Sequence, residues 1–110
     1  MAQAVLRVEG LPPAPLEAAA AFHSEWLPRA RTALAEAQDL ALVFALATHE
    51  HLGWRLAAVQ ELAREAAPLR VNALVGEDAA TLSVMLDWLR RAEAITGQIL
   101  TVDGNSVAKG

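Results

Sequence analysis

Two periods of apolar residues alternate along this chain. Short apolar runs of strand type are separated by longer stretches with helical spacing. The first run, Ala4 to Val8, closes at Gly10, and Leu11-Pro12-Pro13-Ala14-Pro15 is a stiff loop that cannot continue a ladder. Leu16 to Gln38 is alanine-rich and reads as helix, with Pro28 predicting a kink or a break near Leu27. Leu40 to Leu46 is a continuous apolar run, the mark of a strand buried on both faces.

Thr48 then stands where an N-cap belongs, with Glu50 in the first turn. Leu52, Leu56, Val59 and Ala63 form one helical face, which Pro68 ends. Leu69 to Val75 reads as a third strand, closed by Gly76. Glu77 or Asp78 starts the next helix, with Leu82, Met85, Leu86 and Leu89 as its inward stripe. Val84, Trp88 and Ala92 make a second stripe, which predicts burial on two sides. Arg90 and Arg91 suit the negative end of that helix. Gly97 precedes a last strand, Gln98 to Val102, and Asp103-Gly104 turns the chain out. Strands alternating with helices over short links predict an α/β fold with about four parallel strands, β-α-β-α-β-α-β. The expectation is a single domain over residues 1–104 and a tail over 105–110.

Composition sharpens this picture in one respect. The chain has 110 residues, 55% of them hydrophobic, and its mean hydropathy is +0.28. Small domains have much surface per volume and are expected to be more polar. The excess implies either a face covered by another chain or plain alanine richness. The net charge of −4, with Lys109 the single lysine, leaves no basic footprint for a nucleic acid backbone. Without cysteine there are no disulfides, thiolate nucleophiles or cysteine metal sites. No basic region followed by an apolar run opens the chain, and Leu40 to Ala47 is too short to span a bilayer. The expectation is a cytoplasmic protein without membrane or nucleic acid partners.

Candidate chemistry is sparse. His49-Glu50-His51 is not H-E-x-x-H, and residues two apart on a helix diverge, so it reads as a surface helix start and no metal site is expected. His23 has no nameable acid/base partner. Trp26, Trp54 and Trp88 could line a pocket, but tryptophan also favours cores and interfaces. Trp54, Val84, Trp88, Ile99 and Leu100 are the interface candidates. Glu9, Glu77 and Asp78 fall near carboxyl ends of strands, where α/β folds bind ligands, although Glu77 and Asp78 also suit a first helical turn.

Two phrases carry a resemblance. Ala94-Ile95-Thr96-Gly97-Gln98-Ile99-Leu100-Thr101-Val102-Asp103-Gly104 resembles the closing strand of the short-chain dehydrogenase/reductase family, a group of Rossmann-type oxidoreductases. Upstream, Ala67-Pro68-Leu69-Arg70-Val71-Asn72-Ala73-Leu74-Val75-Gly76 looks like the family's A-P-x-G-I-R-V-N-x-V-x-P-G strand. Leu86-Asp87-Trp88-Leu89 is similar to the family's v-x-F-L helix that leads to the closing I-T-G-Q phrase. The resemblance runs from about residue 40 to 104. It implies a three-layer, Rossmann-like half domain corresponding to the family's fourth to seventh strands. It also implies a left-handed crossover before the last strand, and structural roles for Asn72, Thr96 and Gln98.

The family's chemistry is missing from the matched stretch. No glycine-rich G-x-x-x-G-x-G or G-x-G-x-x-G turn occurs, and Arg7-Val8-Glu9-Gly10 keeps only the glycine of the family's N-N-A-G. The chain has no tyrosine; the family's catalytic tyrosine and lysine positions fall near Thr48 and Leu52. Gly76 resembles the glycine that approaches the nicotinamide. The resemblance therefore implies no catalytic residues and no cofactor. A truncated, inactive relative that acts through oligomerisation is expected, as a homo-oligomer or with a full-length relative. The alternatives are a small-molecule or acyl-chain binding module, and part of an NAD(P)-dependent oxidoreductase completed by a partner chain.

Overall fold

The computed structural model describes residues 2–36 and 38–102. The expected turn at Asp103-Gly104 and the tail after it lie outside the described residues. Four strands, β1 (Gln3–Val8), β2 (Asp39–Phe44), β3 (Val71–Val75) and β4 (Ile99–Thr101), form one sheet in the order β1-β2-β3-β4. All three pairings are parallel, with Leu6 beside Leu42, Leu42 beside Ala73 and Ala73 beside Ile99.

The long helix is broken where Pro28 requires it. Helix α1 (Pro15–Ala21) passes through a π-helical turn at Phe22–Trp26 into α2 (Leu27–Ala35). Proline has no N–H to donate four residues back, and the wider turn absorbs the mismatch: the Leu27 N–H donates to the Phe22 carbonyl instead. Helices α3 (Leu52–Ala66) and α4 (Ala79–Arg91) complete the alternation.

Side-chain alternation along the strands feeds two cores, one on each sheet face. Leu40, Leu42, Phe44, Val71 and Ala73 pack under the α1-α2 segment and α3. Ala41, Val43 and Leu74 pack under α4 with Leu82, Leu89 and Val102. The molecule is thus a three-layer α/β arrangement of Rossmann type. The sheet grows in one direction, yet α4 lies on the face opposite the other helices, so the third crossover is opposite in hand to the first two. With those in the usual right-handed sense, it is left-handed.

Several expectations shift in detail. Thr48 does not cap with its side chain; a 3₁₀ turn at His49–His51 precedes α3, held by the His51 N–H donating to the Thr48 carbonyl. Leu52 is 53% exposed, and the inward face of α3 is Arg55, Ala58, Val59 and Leu62 instead. That face is rotated from the expected one, and Arg55, stacked over Phe44, is part of it. The expected second stripe of α4 is open within this chain, Val84 at 68% and Trp88 at 43% exposed. Asp78 does cap α4, accepting from the Thr81 N–H and hydroxyl at 2.9 and 2.6 Å. No helix among the described residues is long and apolar enough to cross a membrane.

Candidate functional site

The carboxyl ends of β1 and β2 open into a cleft of about 340 Å³. The loop Glu9–Pro13 forms one wall, Ala45–Thr48 the other, and His51 and Arg55 of the α3 region close the floor. Parallel sheets with helices on both faces place such a crevice at their carboxyl edge.

His51 is buried at 7% exposure, against the expectation of a surface helix start. Its Nε2 lies 3.0 Å from the Pro13 carbonyl, which can only accept, so Nε2 carries the proton. Its Nδ1 then accepts from the Trp54 indole N–H at 3.1 Å. The ring is a neutral bridge fastening the proline loop to α3. His49 and Glu50 are exposed, and no group of three potential metal ligands exists among the described residues. His23 is exposed too, with Nδ1 2.8 Å from the Ala19 carbonyl.

Arg55 is as buried as His51, at 7%. Its guanidinium stacks 4.5 Å over Phe44 and 5.8 Å from Trp54, and Nη1 donates to the Ala45 carbonyl at 3.0 Å. Nε is buried with no partner. Burial pulls this guanidinium below its ordinary pKa. Sequence reasoning missed this residue, although Arg55 stands three residues after Leu52 and four before Val59, on an apolar face.

The phrases that carried the resemblance build β3, β4 and the junctions at their ends. Asn72 donates through Nδ2 to the Ile95 carbonyl at 2.9 Å and accepts at Oδ1 from the Gln98 N–H at 3.1 Å. The Thr96 hydroxyl accepts from the Val71 N–H at 3.1 Å. These bonds clamp the entry to β4. Gln98 joins through its backbone, while its side chain is exposed. Arg70, 9% exposed, makes an ion pair with Asp39 and donates to the carbonyls of Leu89, Arg90 and Ala92 at the end of α4. At Gly76 a Cβ would come within 2.1 Å of the Val102 carbonyl oxygen, so only glycine fits.

A second, larger groove of about 660 Å³ runs between the π turn and α3, past Phe22, Leu27 and Trp54. At its end Arg31 makes a bidentate pair with Glu65, at 2.8 and 2.9 Å. That contact holds the Glu65 carboxyl below its usual pKa.

The family model described as Short chain dehydrogenase-like protein, SDR-like, matches residues 6–102. The chain belongs to that family. No curated protein and no solved structure gives a significant match.

Within this SDR-like frame the given sequence holds no glycine-rich turn of the kind that cradles a dinucleotide pyrophosphate. Gly76 packs its Cα against the end of β4, where a Cβ would meet the Val102 carbonyl oxygen. Thr48 and Leu52, near which the resemblance puts the proton-handling tyrosine and lysine, carry neither group, and Leu52 is exposed. The interface candidates separate into two groups. Val84 and Trp88 lie open on α4. Trp54 packs with Phe22 and Phe44 at 5.5 and 5.8 Å, and Ile99 and Leu100 rest half-buried on the two cores.

Proposed function

We propose that this SDR-like chain is a non-catalytic subunit that works by associating with another copy of itself. The observation that carries the reading is the pair Val84 and Trp88, four residues apart on α4 and exposed at 68% and 43%. Two large apolar side chains one turn apart form a patch of the kind that other chains cover. The sheet adds support. Strand β1 is an edge with its outer backbone groups unpaired by any described strand. Val5, which alternation puts on the α4 face beside Ala41, is 42% exposed. The absence of tyrosine and of a glycine-rich phosphate turn favours a structural role over hydride transfer.

Light scattering on the full chain at micromolar concentration is expected to give a dimer or larger species. The variant Val84→Glu/Trp88→Glu is expected to shift it to monomer with the fold retained. A wild-type monomer refutes the association. Titration with NADH and NADPH is expected to show no saturable binding; tight binding by the chain alone refutes the non-catalytic reading.

A further inference from the structure

We propose that the cleft at the carboxyl ends of β1 and β2 binds a small oxyanion, a carboxylate or phosphate head group, with Arg55 as its counter-charge. The argument starts from an imbalance. Two arginines of this chain are buried, Arg55 at 7% and Arg70 at 9%. Arg70 is answered by the Asp39 carboxylate at 2.7 Å and by three helix carbonyls. Arg55 has one carbonyl, an orphaned Nε, and no carboxylate within ion-pair distance among the described residues. A buried cation without a counter-charge is costly, and an anion delivered from solvent removes that cost.

The surroundings suit an anion of modest size. Among the described residues the N–H groups of Leu46, Ala47 and Thr48 donate to no protein acceptor, and the Thr48 hydroxyl makes no hydrogen bond. Leu46, Ala47 and Thr48 line the same cleft as Arg55. Leu11, Pro12 and Leu46 give it an apolar side, so the head group would carry a short apolar body. The His51 ring is committed to Pro13 and Trp54 and shapes the floor without binding. Glu9 is exposed on the rim and opposes an anion there, so removing its charge should tighten binding. This site is independent of the association through α4.

The test uses the ¹⁵N-labelled full chain at constant ionic strength. Sodium phosphate and sodium acetate are titrated in parallel, with sodium chloride as control. The expected result is a saturable shift of the Arg55 Nε–H resonance and of the Leu46–Thr48 amides, with Kd about 1 mM or tighter for one probe or both. Response to phosphate alone assigns a phosphate ligand, response to acetate alone a carboxylate, and response to both the shared oxyanion chemistry. Arg55→Met is expected to weaken binding at least about tenfold. Glu9→Gln, an exposed substitution that leaves the core intact, is expected to tighten it a few-fold. No saturable shift with either probe, an equal shift with chloride, or affinity unmoved by Glu9→Gln overturns the proposal.

Discussion

Replacing Arg70 by methionine should loosen the amino-terminal ends of the sheet and the end of α4 together. The Asp39 carboxylate receives three bonds from this residue, from the backbone N–H at 2.8 Å, Nε at 3.1 Å and Nη2 at 2.7 Å. Methionine keeps most of the side-chain volume and the backbone bond but removes both guanidinium donors, leaving a carboxylate in a site whose side chain is only 9% exposed. Breaking a buried pair from one side costs about 3–5 kcal/mol. The lower end applies here, because two of the three helix carbonyls that Arg70 serves are only part-buried and water can reach them. A loss of about 3 kcal/mol is a large share of the ~5–15 kcal/mol that holds a domain of this size, and it lowers Tm by roughly 10–20 °C. Urea titration followed by tryptophan fluorescence and circular dichroism measures it. Asp39→Asn/Arg70→Met should cost less than the sum of the single changes, since the stranded charge is gone. A single-variant cost under about 1 kcal/mol, or strict additivity, refutes the claim that this pair ties the reversed crossover together.

Gly76→Ala places a methyl 2.1 Å from the Val102 carbonyl oxygen, so β4 must move away. A loss of about 1–3 kcal/mol by urea titration is expected, with amide exchange quickening at Ile99 to Val102. Asp78→Ala removes the α4 cap. Hydrogen bonds from the Thr81 hydroxyl and N–H hold the Asp78 carboxyl below its usual pKa, so its contribution is present above the unfolded-state pKa and lost as pH falls through the lowered folded value. The variant should therefore melt earlier than wild type at neutral pH, and the gap should close in acid. A gap that does not change with pH contradicts the assignment.

The strands were legible because their burial is simple. Leu40 to Phe44 is apolar at every position, as a strand packed on both faces must be, and the break at Pro28 follows from a missing donor. The roles of Asn72 and Thr96 were legible only through the resemblance. Nothing in their spacing announces that one side chain reaches the Ile95 carbonyl and the other receives the Val71 N–H. The cleft was hidden for a different reason. Arginine on a helix reads as solvated, and Arg55 is buried because Phe44 and Trp54, from separate elements, offer it two aromatic faces. The rotation of α3 that follows, with Leu52 turned outward, depends on that tertiary contact and on no local preference.

The contrast between the two buried arginines bears on what the SDR-like frame does. Both sit at the margins of the sheet, one at the amino ends of the strands and one at the carboxyl ends, with nearly equal burial. Burial therefore does not distinguish them; completion does. Arg70 is closed off by groups of the chain itself, and its whole effect is spent in holding α4 and β2 against β3. If Arg55 served only to fill space over Phe44, an apolar side chain of the same length would do so without burying a charge, and such replacements are often neutral or stabilising. A guanidinium there gains the aromatic stacking and the Ala45 carbonyl, and an anion in the proposed cleft would add the counter-charge that the described residues do not supply. On the proposed reading the carboxyl edge of this sheet is where the molecule keeps an open electrostatic valence, in contrast to the closed pair at its amino edge.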